Sequence, residues 1–188
     1  ENSRKDFIFI REDDPSMINN HLKNIFARLA SYKIVSSDCA VLVPMNRGPV
    51  GTHAINYYLQ QLLNPRETDK KVMHAGTTYK NGDRVMQIRN NYDKNVFNGD
   101  TGTITDVDMD EKVVMVNFGD REVIYEFTEI DELVLAYSLS IHKSQGSEYA
   151  ATIIPIFTSH FALLQRNLLY TAITRSKKLC ILIGQPKA

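Results

Sequence analysis

Near its C-terminus the chain sets an arginine beside what reads as a packed helical face. Asn167-Leu-Leu-Tyr-Thr-Ala-Ile-Thr-Arg175-Ser-Lys-Lys178 carries apolar residues at helical spacing, polar groups at Asn167, Thr171, Thr174 and Arg175, then a cluster of positive charge. Such an arginine often aims its guanidinium at an anion, because the planar fork matches phosphate oxygens. The dipole at a helix C-terminus is enough to explain Lys177 and Lys178. Upstream, an apolar strand ends in Ser140-Ile-His-Lys-Ser-Gln-Gly-Ser-Glu148. A hydroxyl where a strand turns into a helix can bind an anion, helped by free N–H groups. Gly146 lets backbone come close to a ligand. The plain alternative makes Ser140 an N-cap and leaves His142 and Lys143 to solvent.

Two further stretches could do chemistry. Val41-Leu-Val-Pro-Met-Asn-Arg-Gly-Pro-Val-Gly51 reads as a strand ending in a Pro/Gly loop before a helix, the place where α/β sheets bind ligands. Arg47 is its cation; an exposed loop arginine is the alternative. Between Gly82 and Gly102, Arg84, Arg89, Asn90, Asn91, Tyr92 and Lys94 mix base, amide and aromatic groups, as a strand-binding loop would. Turn geometry alone accounts for Asn98-Gly99 and Thr101-Gly102. Asp110-Glu111 sits in an expected hairpin and is not read as a metal pair. No metal site is expected, since no Cys/His cluster occurs.

Apolar periodicity supplies the elements that must position these groups. Expected strands are Phe7 to Ile10, Cys39 to Pro44, Leu133 to Leu139, Thr152 to Phe157 and Leu179 to Gly184. Expected helices run from Asp13-Asp14-Pro15-Ser16 through Leu29, from Val50 to Leu63, and from Phe161 to Ser176, with a short one near Ser140. Strands alternating with helices predict a parallel sheet. Between Gly82 and Phe127, strand follows strand instead. Gly102 to Val107, Val113 to Phe118 and Arg121 to Phe127 read as an antiparallel set, with Gly119-Asp120 as a two-residue hairpin loop.

The 188 residues suit one domain with a small insert. Twenty-two basic residues balance twenty-two acidic ones, which does not exclude a local basic groove. The charge is segregated: acid collects at Asp106 to Glu111 and at Glu126 to Glu132, base from Arg166 to Lys178. Cys39 and Cys180 read as buried free thiols of a reducing compartment. No apolar run is long enough to cross a membrane. The chain begins on a charged stretch without Met, and is expected to be a piece of something longer.

In order and spacing, these segments resemble the signature motifs of superfamily 1 helicases, in the 1B branch that holds RecD (the exodeoxyribonuclease V alpha subunit) and its free-standing relatives. The RecD-like pattern is a hydroxyl residue, Ile or Val, His, Lys or Arg, Ser or Ala, Gln, Gly, Ser, Glu. The chain matches it throughout, with Ser140 where Thr is usual. The resemblance implies that Ser140, His142 and Lys143 touch the backbone of single-stranded DNA. It puts Gln145, Gly146 and Glu148 on the nucleotide side. Arg175 falls on the arginine finger of the Tyr-Thr-Ala-Ile-Thr-Arg motif, a group that can change rate by roughly 10³–10⁵. Asn167 and Tyr170 read as packing and hydrogen-bonding supports. Val41 to Gly51 resembles the family's fourth motif, with Arg47 reaching an ATP phosphate and Asn46 where an aromatic is usual. Gly82 to Gly102 resembles the insert that lies beside the single strand, which makes Arg89, Asn91 and Tyr92 strand-binding candidates.

The resemblance spans Asp6 to Gly184. It implies an α/β fold: a RecA-like parallel sheet with helices on both faces, carrying a small antiparallel SH3-like β-barrel insert. Residues 1–80 and 131–188 would form the second motor domain and 81–130 the insert. The implied function is the C-terminal motor domain of a cytoplasmic, ATP-dependent 5′–3′ DNA helicase. ATP and Mg²⁺ would serve the full-length protein, with none bound to this piece. Implied partners are single-stranded DNA and an N-terminal motor domain of the same chain, with nuclease or helicase subunits as further candidates and no membrane. No G-x-x-x-x-G-K-[ST] phosphate loop occurs, so this piece alone is expected to be inactive. Two other classes stay open. One is a non-catalytic DNA-binding or assembly subunit with vestigial motor motifs. The other is an α/β domain with a protein-binding barrel, its basic helix a solvated face.

Overall fold

The computed structural model describes residues 6–160 and 166–187. In chain order the elements are β1 (Phe7–Arg11), α1 (Ile18–Arg28), β2 (Cys39–Val43), α2 (Thr52–Leu63), β3 (Lys71–His74), β4 (Thr77–Lys80), β5 (Arg84–Gln87), β6 (Thr101–Asp108), β7 (Val113–Asn117), β8 (Glu122–Glu126), β9 (Leu133–Leu135), β10 (Ser138–Ser140), β11 (Tyr149–Ile156), α3 (Arg166–Ile173) and β12 (Ser176–Gly184). The chain divides into two compact units. One is Glu1–Tyr58 with Ser138–Ala188; the other is Leu59–Tyr137.

The first unit is built on a sheet of order β1-β12-β11-β2-β10, parallel at every pairing. All eight residues of β11 are buried, as expected for a strand flanked on both edges in a parallel sheet. Burying each Ile or Val side chain contributes about 1.5–3 kcal/mol. Pairing of β11 with β2 ends at Ile153, before Pro155, which has no N–H to continue that ladder. A 3₁₀ turn, Pro15–Met17, leads into α1: the Asp14 carboxylate caps that turn by accepting from the Ser16 N–H at 2.9 Å, and Ile18, Leu22 and Ile25 of α1 face inward at helical spacing. Both cysteines are buried.

The second unit holds an antiparallel sheet of order β8-β7-β6-β5-β9 and the hairpin β3-β4. Residues alternate in and out along β7 and β8, the period of a sheet with one face on a core. Gly119 and Asp120 form the expected two-residue loop, with the Phe118 N–H donating to the Arg121 carbonyl and Gly119 at φ +98°.

Two expectations change. The apolar run Leu133 to Leu139 is not one strand: β9 joins the antiparallel sheet, β10 joins the parallel one, and Ala136-Tyr137 lies between them. The helix expected over 161–176 is described only as Arg166–Ile173, because residues 161–165 lie outside the described residues and Ser176 already begins β12. The second unit runs from Leu59 to Tyr137. A buried carboxylate gathers that unit's two ends.

Asp83 is fully buried and accepts four hydrogen bonds: from Gln60 Nε2 (2.6 Å), Asn64 Nδ2 (2.8 Å), the Lys80 N–H (2.9 Å) and the Tyr137 hydroxyl (2.9 Å). Burial pushes its carboxyl above the ordinary range, and the bonds from Asn64, Lys80, Gln60 and Tyr137 oppose that. Burial and the nearby Asp83 charge push the Tyr79 hydroxyl up to about 12. Every partner of Asp83 is a donor, so only an acceptor with two oxygens satisfies them all. Asp83→Asn would turn an NH₂ toward two donors, and is expected to cost about 1–3 kcal/mol. Urea unfolding followed by tyrosine fluorescence tests this, the chain having no tryptophan. A variant as stable as the parent would refute the account.

Candidate functional site

The first cluster stands at the carboxyl ends of β2 and β10. Strand β10 has three residues and lies at the sheet's edge. Asn56, buried on α2, supplies the pairing that a further strand would give: its Nδ2 donates to the Ser138 carbonyl at 3.0 Å and its Oδ1 accepts from the Ser138 N–H at 2.7 Å. The Ser138 hydroxyl donates to the Thr52 carbonyl at 3.3 Å. Thus α2 sets the position of the strand that delivers Ser140. A buried amide in the helix pattern of Asn56-Tyr-Tyr-Leu-Gln60 was the one sequence signal for this.

Beyond β10, Ile141 donates its N–H to the Val43 carbonyl, and a single 3₁₀ turn, His142–Ser144, follows instead of the expected helix. The Ser140 hydroxyl accepts from the Lys143 N–H at 3.4 Å, so the N-cap reading and the anion reading share one atom. His142 and Lys143 are exposed. Partial desolvation nonetheless pulls the Lys143 ammonium below the ordinary lysine value.

Beyond β2, the loop bearing Arg47 is held by the Thr52 N–H on the Met45 carbonyl, the His53 N–H on the Asn46 carbonyl, and the Thr52 hydroxyl on Asn46 Oδ1 at 3.2 Å. Asn46 therefore ties the loop to the start of α2. A Cβ at Gly51 would lie 2.5 Å from the Arg47 carbonyl oxygen, so the close return of the chain requires glycine. Arg47 is exposed.

The second cluster stands at the amino ends of β11 and β12, where Tyr149 pairs with Ser176. Arg175 ends the turn after α3. Its Nε donates to the Thr171 carbonyl at 3.2 Å, Nη1 to the Ser147 carbonyl at 3.3 Å, and Nη2 to the Thr174 hydroxyl at 3.3 Å. Its own carbonyl accepts from the Tyr149 N–H at 2.9 Å. The guanidinium is half-buried and bolted to the loop that contains Gln145, Gly146 and Glu148. A guanidinium has five N–H donors, so donor capacity remains for an anion. Gly146 sits at φ +85°, and Lys177 pairs with Glu148 at 3.0 Å in an exposed contact worth little stability. Tyr170, expected to support packing, is 70% exposed, and Asn167 contributes its backbone carbonyl to the Thr171 hydroxyl.

This geometry divides the expected nucleotide set. Ala151 pairs with Cys39 and Ser140 with Val43, so six residue levels separate Tyr149 from the end of β2. At about 3.3 Å per residue this is roughly 20 Å along the strands. Arg47 stands with Ser140 at the carboxyl ends of β2 and β10, and Arg175 with Ser147 at the amino ends of β11 and β12; Gln145, whose N–H donates to the His142 carbonyl at 3.3 Å, stays beside the first group, and the loop onward to Glu148 joins the two. Order along the chain could not reveal this, because parallel strands carry successive loops to alternate ends.

The candidates in the second unit are largely engaged. Arg89 pairs with Asp131 at 2.8 Å; Asn91 donates to Glu132 at 3.1 Å and accepts from the Lys94 N–H at 3.1 Å. Tyr92 is 76% exposed, edge-on to Phe97 with ring centres 5.9 Å apart. Leu59–Tyr137 holds nine Lys/Arg against fifteen Asp/Glu, a net charge of −6, and the rest of the chain balances it at +6. The unit's net charge is therefore opposite in sign to that of the rest of the chain.

Comparison with known proteins places these units in context. A family model described as the ATP-dependent RecD-like DNA helicase SH3 domain matches residues 55–118, and one described as the UvrD-like helicase C-terminal domain matches residues 135–183. The chain is similar to the ATP-dependent RecD2 DNA helicase of Deinococcus radiodurans, at 35% identity over 137 residues covering 73% of this chain and 19% of that protein. It is also similar to the RecBCD enzyme subunit RecD of Buchnera aphidicola subsp. Acyrthosiphon pisum, at 28% identity over 210 residues covering 100% of this chain and 33% of that protein. The chain thus spans a third or less of the length of these two curated relatives. The crystal structure of Bacteroides Pif1 bound to ssDNA matches with a TM-score of 0.55 at 18% identity, covering 92% of this chain and 50% of that one. The Pif1 helicase from Candida albicans matches with a TM-score of 0.51 at 20% identity, covering 77% and 44%. These two likenesses show the fold.

The strand-like role of Asn56 can be tested. Asn56→Leu keeps the volume but leaves the Ser138 N–H and carbonyl unpaired in a buried position. A cost of about 1–3 kcal/mol for each group is expected. Amide exchange at Ser138 should quicken with it. Unchanged stability and unchanged exchange would remove Asn56 from the account of how Ser140 is held.

Proposed function

Because the chain belongs to the RecD-like DNA helicase family, we propose that it works as the second motor domain of an ATP-dependent 5′–3′ DNA helicase. Arg175 is its arginine finger. The observation that carries this reading is the bond from Arg175 Nη1 to the Ser147 carbonyl, which unites two signature segments 28 residues apart in sequence at one end of the sheet. Arg175 and the Ser147-Glu148 segment form the face turned to nucleotide, and Gln145 and Gly146 lead to it from the His142 turn. Bound ATP with Mg²⁺ supplies the phosphoanhydride whose cleavage drives movement. The chain's own contribution is a fixed positive charge where negative charge grows on the transferred phosphoryl group. The phosphate loop and metal-holding carboxylate come from another domain of the full-length protein, since the chain has no Walker-type sequence.

The opposite end of the sheet grips the single strand. Ser140 and the backbone around it, His142, Lys143 and Arg47 offer hydroxyl, imidazole, ammonium and guanidinium donors to phosphate oxygens. Placing the two ligands at opposite ends of one sheet, on neighbouring strands, lets closure on nucleotide be felt at the strand track through a stiff sheet. Arg89, Asn91 and Tyr92 are not carried into this track, because the first two are engaged with carboxylates on a unit of negative charge.

Three measurements test the proposal. In the full-length protein, Arg175→Ala is expected to lower the ATPase kcat by about 10³–10⁵ and to change KM far less; a kcat within tenfold of the parent would sink the finger assignment. The 188-residue chain alone is expected to turn over no ATP. It should bind an oligonucleotide weakly, with log K falling by about 0.7 per log unit of salt for each phosphate contact. His142→Ala with Lys143→Ala should flatten that slope, and an unaltered slope would move the track elsewhere.

A further inference from the structure

The outer face of the antiparallel sheet in the second unit is a small grid. The register sets Asp108, Val113 and Glu126 in one row, Asp106, Met115 and Ile124 in the next, and Thr103, Asn117 and Glu122 in the third. Val114, Val116, Val123 and Tyr125 alternate with these residues and face the core, so the grid is the face turned to solvent. Ile124 is 53% exposed. Directly opposed residues on one face act as a unit. Val113, Met115 and Ile124 therefore form a contiguous apolar strip bordered by Asp106, Asp108, Glu122 and Glu126.

From this face we propose that the insert docks an extended, lysine- or arginine-bearing segment of a partner protein. Charge complementarity selects the occupant. The border is acidic on both flanks of the strip, and the whole unit carries −6. A nucleic-acid backbone or an anionic membrane would be repelled by that field. The border acids remain available to a cation. Asp106 has one neighbour in Lys70 at 3.5 Å, both side chains well exposed, and Asp108 accepts the N–H groups of Asp110 and Glu111 and so stays ionised below its ordinary pKa. Glu122 accepts the Thr105 hydroxyl at 2.7 Å and Glu126 that of Thr128 at 3.3 Å, neither of which cancels charge. An extended segment projects alternate side chains to one face. One with an apolar residue over Met115 and Ile124, and cations on either side, satisfies strip and border together. The edge backbone of β8 is not the attachment point, because Lys94 Nζ donates to the Ile124 carbonyl and the Glu126 N–H donates to Glu129. Contact is by side chains.

The test needs no ATP and does not depend on the helicase reading. The whole 188-residue chain is titrated into a fluorescent peptide of alternating lysine and valine, with anisotropy as readout. Saturable binding is expected. Ile124→Lys should weaken it by about tenfold or more, the scale of losing a central contact. An alternating lysine-glycine peptide should bind at least about tenfold less well than the lysine-valine one. Circular dichroism should show Ile124→Lys folded, since the side chain points outward. The proposal fails if Ile124→Lys binds like the parent, if the lysine-glycine peptide binds equally well, or if a single-stranded oligonucleotide displaces the peptide. It also fails if sedimentation shows the parent self-associating through this face, with Ile124→Lys abolishing it, for the occupant would then be a second copy.

Discussion

A three-residue edge strand has little hold of its own, yet β10 delivers Ser140, His142 and Lys143. Its pairing with β2 covers three residues, and it resumes the sheet after the long excursion of Leu59–Tyr137. The entropic cost of closing such a loop rises only slowly with length, but it must be met by the few groups at the return point. The Asn56 amide meets it by bonding both backbone groups of Ser138, as an adjacent strand would. An amide can do this because it presents a donor and an acceptor in one plane. The candidate strand track therefore depends on a helix residue that touches no ligand.

Inside the second unit a different device closes the other side of the excursion. Asp83 collects Gln60 and Asn64 from near its entry and Tyr137 from its exit. A lysine there would have formed a pair whose desolvation is hard to recover. Four neutral donors around one carboxylate leave no partner charge to bury. The insert is thereby rooted by geometry, which frees its outer surface to carry a charge opposite to that of the other unit.

Much of this architecture was legible in the sequence, in the places where local signals agreed. The apolar run of β11, the capping acid and proline before α1, and the Gly119-Asp120 turn each point to one structure. The failures come where one local pattern serves two tertiary contexts. Leu133 to Leu139 is a continuous apolar run because both of its ends are buried, but they are buried in different sheets. The β3-β4 hairpin escaped notice because Ala75, at φ +46°, takes a left-handed turn position beside Gly76 that usually draws Asn or Asp. The site was legible as residue types, not as a grouping. Arg47 and Arg175 are both arginines in motif positions, but strand direction sends them to opposite ends of the sheet.

Arg175 combines two demands that usually compete. An exposed arginine loses rotamer freedom when it engages a ligand, a cost of up to about 2 kcal/mol. Here Nε, Nη1 and Nη2 already rest on Thr171, Ser147 and Thr174, so most of that ordering is complete before any anion arrives. Two of the three anchors are carbonyl oxygens, which carry no net charge to compete with phosphate for the guanidinium. Lysine could not reproduce the arrangement, because one ammonium cannot reach both carbonyls and still present a planar pair of donors. The same anchoring that makes Arg175 look like an ordinary helix C-terminal cap is what would preorganise it as a finger. Capping and preorganisation are here the same set of hydrogen bonds.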